Sequence, residues 1–245
     1  MKGQVNNGVG FDLHNVEEED HWISVSDLMA GLMMVFLFVS IALMRTAFLE
    51  RDEVKVERDK IQEIAIAYQE NQVAIYDALV EEFDQDLEKW SAVVDQNTLS
   101  FEFQSPEVLF DRAEITLKPA FQDILVDFFP RYLRVLGDYR LSINEVRIEG
   151  HTSSDWNRFT SSDEAYFKNM ELSQGRTRSV LEYVYLIDGV EEDRPWIIKS
   201  VAAVGFSSSH LKLSEDGGEN PEASRRVTFR VITNAETQIR KIIEN

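Results

Sequence analysis

Three sets of residues have the types and spacing to do chemistry. The first is Asp27, the one ionisable side chain in an apolar run from Ile23 to Met44. A carboxylate takes up and releases protons. In a bilayer an acid costs roughly 2.5–3.5 kcal/mol at mid-depth, so it persists mainly where it works. Gly31, one turn later, removes side-chain bulk and lets a second helix approach Asp27 closely. A structural explanation competes: Ser24-x-x-Asp27 fits a capping box, which would put Asp27 in the first turn of its helix, where a carboxylate is cheap. The residues alone leave both readings open.

The second set is Asn169-x-x-Leu172-Ser173-x-x-Arg176. A guanidinium meets a carboxylate through two parallel hydrogen bonds and keeps its charge at any physiological pH. A helix predicted over Leu172 to Ile187 puts Arg176 in its first turns, where free N–H groups also favour an anion. The alternative is an Arg176 paired with an acidic neighbour inside its own domain. The third set is His151, Asp155 and Asp163, close together around one loop. A hydrolase would need a nucleophile, base and orienting group at workable spacing, or a phosphate-binding loop, and neither is present. His151 follows a strand in Gly150-His151-Thr152 and is expected to fix a turn. No catalytic residue, cofactor or metal site is expected.

Composition narrows the classes further. The 245 residues carry 44 acidic against 25 basic side chains, a net charge of -19. Phosphate backbones are bound by Lys and Arg, so this balance excludes a non-specific nucleic-acid partner. There is no cysteine, hence no disulfide framework, thiolate metal site or Cys nucleophile. The histidines His14, His21, His151 and His210 stand at no metal-ligand spacing.

These residues must be positioned by elements that the hydropathy pattern marks out. Leu28 to Met44 holds no charge, and the run from Ile23 is long enough, at about 1.5 Å per residue, to cross a hydrocarbon core of about 30 Å. Trp22 stands at its front edge and Arg45 behind it, as at a membrane interface. The preceding residues are Glu17-Glu18-Glu19-Asp20, with no basic n-region and no small-x-small site after the run, so a retained anchor is expected rather than a cleaved signal. Basic residues flank it unevenly: Lys2 before, and Arg45, Arg51, Lys55, Arg58 and Lys60 after. The positive-inside rule, taken alone, places the N-terminus outside.

From Thr46 to about Trp90 one thin apolar stripe recurs at helical spacing: Ile61, Ile64, Tyr68, Ile75, Leu79, Phe83, Leu87 and Trp90. Such a stripe on a charged helix is expected to pack on a copy of itself, with docking on its own domain as the alternative. Beyond Asp95 the pattern becomes a compact domain. Strands are predicted over Asn97 to Phe103, Ser142 to Glu149, Val201 to Phe206 and Arg226 to Ile232. Helices are predicted over Leu117 to Leu136, kinked or broken at Pro130, and over Leu172 to Ile187. Leu213 to Ala223 reads as an exposed loop. The fold class expected is α+β: a transmembrane helix, a helical stalk and a mixed sheet with helices on one face. The domains expected are a tail over 1–21, a membrane helix over 22–45, a stalk over 46–95, the sheet domain over 96–235 and a tail over 236–245.

Two resemblances rest on particular residues. The region from Val108 to Ile232 resembles the OmpA-like peptidoglycan-binding domain through Leu109-Phe110-Asp111 with Leu117-Lys118-Pro119, Gly150-His151-Thr152, the Asn169-x-x-Leu172-Ser173-x-x-Arg176 block, Gly205, and Arg225-Arg226-Val227. In that family an Asp after the G-x-T threonine and the Arg of the block hold the carboxylate and amine of the diaminopimelate stem. The resemblance therefore implies a peptidoglycan site of Asn169, Leu172, Arg176, Thr152, Ser153 and Asp155, with Ser153 standing where the family has its Asp and Asp155 two residues on. The span resembles MotB, the peptidoglycan-anchored stator subunit of ion-driven motors, through Trp22-x-x-x-x-Asp27-x-Met29, Leu32-Met33-Met34 and Phe36-Leu37-Phe38. The run Ser26 to Met33 and the acidic tail are most similar to the ZorB family, the MotB-like subunits of Zorya anti-phage defence. What this implies is an ion-carrying Asp27 and proton flow. It also implies a MotA- or ZorA-like multi-span partner in five copies to two of this chain, as a homodimer. The chain would sit once through the bacterial inner membrane, N-terminus cytoplasmic and C-terminal domain periplasmic, with the N-terminal tail cytoplasmic. A flagellar-type stator and a passive tether are the alternatives.

Overall fold

The computed structural model describes residues 14–104 and 106–234, with side chains described from Val25 onward except at Pro106 and Glu107. Of the tails expected over 1–21 and 236–245, residues 1–13 and 236–245 lie outside the described residues, and residues 14–21 form the start of a helix. The chain divides into two compact units, at Lys60 and Ile61.

The first unit holds most of α1 (His14–Leu87). Every residue from Val25 to Lys60 is exposed. One window in this part has a mean hydropathy of 2.2 and is long and apolar enough to cross a membrane. Because α1 begins at His14, Asp27 lies several turns inside a continuous helix. The capping-box reading of Ser24 and Asp27 is thereby corrected: at Asp27 the backbone amides already have partners in the preceding turn.

The second unit starts with the end of α1 and continues through β1 (Ala92–Asp95), β2 (Ser100–Phe103), α2 (Pro106–Leu109), α3 (Pro119–Gly137), β3 (Ile143–His151), α4 (Ser162–Leu186), α5 (Arg194–Ser200), β4 (Val201–Gly205), α6 (Pro221–Ser224) and β5 (Arg226–Thr233). The strands form one mixed sheet in the order β1-β2-β5-β3-β4, antiparallel except for the β3–β4 pair. The crossover from β3 to β4 runs through α4 and α5, as parallel neighbours require.

Strand alternation sorts the two faces of the sheet. Phe101 and Phe103 of β2, Val146 and Ile148 of β3, and Val227, Phe229 and Val231 of β5 join the apolar core, against α3, α4 and the end of α1. Glu102, Glu149, His151, Arg226 and Thr228 point the other way and line a small chamber of about 120 Å³ under Phe206, His210 and Lys212. The mixed sheet with helices on one face is as expected.

The core is aromatic. Phe128 of α3 lies 4.6 Å from Phe101 and 5.0 Å from Phe229, and Phe83 of α1 stands 5.2 Å from both Phe101 and Phe128. Ile75, Leu79 and Phe83 are wholly buried here and Trp90 is 5% exposed. From Ile75 onward the stripe thus docks on its own domain, which corrects the expectation that it packs on a second copy. The boundary expected at residue 95 shifts with it, since β1 is the edge strand of the sheet and was missed. Arg131 of α3 fastens the docked stretch: it bonds Glu82 at 2.6 Å and Asp86 at 2.8 Å, with its guanidinium 4.7 Å over Phe83. Pro130 does not break α3. The carbonyl it deprives of a donor is that of Val126, a residue on the exposed side of the helix, where an unpaired carbonyl costs little.

A candidate ligand cleft at the ends of β3 and β5

α4 begins at Ser162, where Ser161 caps it by accepting from the Glu164 amide, so it starts well before the predicted Leu172. Arg176 is therefore in mid-helix, and the helix N-terminus contributes nothing to anion binding there. What α4 does supply is a rigid ruler. Gly150 and Gly205 let it lie directly on β3 and β4: a Cβ on Gly150 would stand 2.8 Å from the Ser173 carbonyl oxygen, and one on Gly205 would stand 2.5 Å from the Gln174 amide nitrogen. With α4 so close, one face of it overhangs the strand ends.

Each residue of the Asn169–Arg176 block has its own task. Asn169, 3% exposed, donates its side-chain amide to the Ser153 carbonyl at 3.1 Å and to the Asp155 carbonyl at 3.4 Å, holding the loop after β3. Ser173 accepts from the Ser207 amide at 3.1 Å, and the Ser207 carbonyl in turn accepts from the Thr152 amide at 2.9 Å. Leu172 is half-buried on the cleft wall. Arg176 donates through Nε to the Glu114 carbonyl at 2.9 Å and through Nη2 to the Asp111 carbonyl at 3.0 Å, its guanidinium 4.6 Å over the ring of Phe110.

Thr152, Ser153, Asp155, Asn169, Leu172 and Arg176 all line one cleft of about 560 Å³. The six residues expected from the sequence are thus brought together. Phe110, Asp111, Arg112, Ala113, Trp156, Asn157 and Arg225 complete the lining. In the sequence Phe110, Asp111 and Arg225 belong only to the domain pattern; their adjacency to Arg176 depends on the β-bridge between Phe110 and Leu117 and on the start of β5.

The electrostatics favour an anion. Arg176 is held by backbone carbonyls and makes no ion pair among the described residues, so its charge is not cancelled by a carboxylate of its own domain. Burial and then the charge of Arg225 push its pKa down to about 10, which leaves it cationic at neutral pH. Asp111 is engaged by Lys118 at 3.2 Å. The acidic side of the cleft is thin: Ser153 is buried, and Asp155 is exposed with its backbone, not its carboxylate, held by Asn169.

His151 does not join this site. It lines the chamber on the opposite face of the sheet, stacked on Phe206 at 5.4 Å with Nε2 3.5 Å from Glu149. Asp163 lies in the first turn of α4. The set weighed for hydrolysis is therefore not assembled in one pocket. Among the described residues no group of three or more His, Asp and Glu is arranged to hold a metal ion.

The chain thus combines an apolar helical stretch of membrane-crossing length that carries one acid with a mixed-sheet domain that has a cationic cleft at its strand ends. The chain is 54% identical to the Zorya protein ZorB of Escherichia coli (strain ATCC 8739), over 93% of this chain and 94% of that one, and it belongs to the ZorB family. No family model matches it. Among solved structures it aligns with a MotB-like protein from Desulfovibrio vulgaris (23% identity, 70% of this chain and 94% of that chain, TM-score 0.48). It also aligns with the cell wall anchor of the T6SS from Pseudomonas aeruginosa (19%, 63% and 96%, 0.43). A third alignment is to the periplasmic domain of Helicobacter pylori MotB (17%, 60% and 84%, 0.40).

Proposed function

We propose that this chain is the peptidoglycan-anchored subunit of a proton-driven inner-membrane motor in anti-phage defence. The observation that carries the reading is Asp27: an exposed carboxylate about one turn into an apolar run of membrane-crossing length, on a helix that begins several turns earlier, with no ion pair among the described residues. Gly31 follows one turn later, and a Cβ there would meet nothing within 4 Å, which leaves room for a neighbouring helix. A carboxylate desolvated against a partner is the side chain that moves protons, and each proton crossing the field releases about 2.3 kcal/mol per 100 mV.

In this reading the partner is a ZorA- or MotA-like multi-span subunit, five copies to two of this chain. The N-terminus is cytoplasmic and the cleft domain periplasmic, where peptidoglycan lies. Large domains translocate largely regardless of flanking charge, so the basic cluster from Arg45 to Lys60 does not decide the orientation. The cleft of Arg176, Arg225, Thr152, Ser153, Asp155, Asn169 and Leu172 grips the stem peptide by its carboxylate.

Asp27→Asn keeps the shape of the side chain but carries no proton. It should leave expression and co-purification with the multi-span partner intact while abolishing protection of cells against phage. Full protection by the Asn variant would reduce the chain to a passive tether. A periplasmic alkaline phosphatase fused after Asn245 should be active; a well-expressed but inactive fusion would overturn the topology.

A further inference from the structure

The loop from Thr152 to Thr160 is tied down at several points. Asn169 holds the carbonyls of Ser153 and Asp155. Glu219, from the segment before α6, accepts from the Ser154 amide at 2.9 Å and from its hydroxyl. Within the loop, Asn157 Oδ1 accepts from the Phe159 amide at 2.9 Å and from the Thr160 hydroxyl at 2.8 Å. Between these ties stands Trp156, half-buried on the cleft wall, with the ammonium of Lys168 5.9 Å from its ring. Trp156 is absent from the apolar core, unlike Trp90. An indole has only two rotatable side-chain bonds, so on a braced loop it offers a large flat surface at small entropic cost.

Two further features point to a ligand beside it. Thr152 is 3% exposed, lines the same cleft, and its hydroxyl has no hydrogen-bond partner among the described residues. The cleft, at about 560 Å³, is far larger than one carboxylate seated on Arg176 needs, and lies in the range of roughly 300–1,000 Å³ that encloses a whole drug-sized molecule. One end is cationic, with Arg176 and Arg225. Around Trp156 the lining is polar, with Asn157, Ser153 and Thr152 and one carboxylate, Asp155. A flat ring beside hydrogen-bonding groups matches the C–H face and hydroxyls of a pyranose.

We propose that Trp156 is the stacking platform for a sugar ring of the glycan strand, so that the cleft takes a sugar-linked stem peptide rather than a peptide alone. The proposal rests on the peptidoglycan reading above and adds a second subsite to it. The peptide carboxylate sits at Arg176, and the sugar lies against the indole with the Thr152 hydroxyl within its reach.

The test is titration calorimetry on the full chain in detergent with two defined probes: a diaminopimelate tripeptide, and the same tripeptide on its N-acetylglucosamine–N-acetylmuramic acid disaccharide. The wild type should bind the disaccharide form at least tenfold more tightly. W156A should lower that affinity about tenfold and change tripeptide binding less than twofold, and W156F should keep most of the difference. R176A should remove both. Equal wild-type affinity for the two probes, or equal loss of both in W156A with unchanged circular dichroism, would overturn the sugar subsite while leaving the peptide site standing. A wild type that binds neither probe would instead overturn the peptidoglycan reading and the subsite with it.

Discussion

The guanidinium of Arg176 lies 4.6 Å above the ring of Phe110 while two backbone carbonyls, those of Asp111 and Glu114, fix its plane. A residue from mid-α4 is thereby locked onto the segment before α3, and its charge is presented without being neutralised. Arg176→Ala should abolish co-sedimentation of the protein with purified peptidoglycan and leave its circular dichroism unchanged. Arg176→Lys should fail nearly as badly, because an ammonium keeps the charge but lacks the planar fork that engages two carbonyls and stacks on an aromatic ring. Wild-type sedimentation by the Lys variant would mean that charge alone suffices.

Asn169 is buried and spends its side-chain amide on the Ser153 and Asp155 carbonyls. Asn169→Asp replaces two donated bonds with repulsion between lone pairs in a buried site. We expect amide hydrogen exchange to quicken by at least tenfold across residues 153–160 and peptidoglycan binding to weaken, with exchange in β5 unchanged. Unaltered exchange in that loop would show that Glu219 and Asn157 suffice to hold it.

Gly205→Ala places a methyl group 2.5 Å from the Gln174 backbone nitrogen, which cannot move without lifting α4 from the sheet. Overpacking of this kind costs about 1–3 kcal/mol. Calorimetry should show a lower melting temperature, and ligand binding should fall with it, since α4 carries Asn169, Leu172 and Arg176.

The buried stripe on α1 predicts where the domain can be cut. A fragment beginning at Ile61 should fold cooperatively, whereas one beginning at Gln96 lacks β1, Ile75, Leu79, Phe83 and Trp90 and should melt far lower or aggregate. Phe83→Ala alone should cost about 3–5 kcal/mol, as for other large-to-small changes in a close-packed core. Equal melting temperatures for the two fragments would contradict the docking of α1.

His151 gives the domain a pH dependence whose sign is set by burial. Desolvation pushes its pKa below the usual value, Glu149 pulls the other way, and Arg226 and His210 reinforce the burial effect. The unfolded chain therefore binds this proton more readily than the folded one. The stabilising contribution is complete above about pH 6.5 and is lost progressively as pH falls below it. His151→Gln should flatten the difference in urea stability between pH 7 and pH 5; an unchanged slope would assign it to other groups.

Much of this was readable along the chain, and the reasons are local. An uninterrupted apolar run longer than any strand needs marks a membrane-length helix whatever surrounds it. The alternation in β2 and β5 follows from a sheet with one apolar face, and the Asn169–Arg176 spacing keeps Asn169, Leu172, Ser173 and Arg176 on one face of one helix. Other features were decided only by tertiary contact. Whether the stripe from Ile75 to Trp90 meets a second chain or its own sheet depends on the shape of the surface offered to it, and both partners are apolar. β1 is short and takes its identity from pairing with β2. The start of α4 at Ser162 hides in a polar segment whose helical pattern is weak, and an early start turns Arg176 from a helix-end residue into a mid-helix one. Asp27 could be placed inside its helix only once the helix was seen to begin at His14, because a capping motif in sequence caps nothing when the preceding turns are already helical. The cleft itself belongs to the last category. Phe110, the Thr152–Trp156 loop, Arg176 and Arg225 come from four separate stretches of chain, and only the closeness of α4 to β3 and β4, allowed by Gly150 and Gly205, gathers them around one volume.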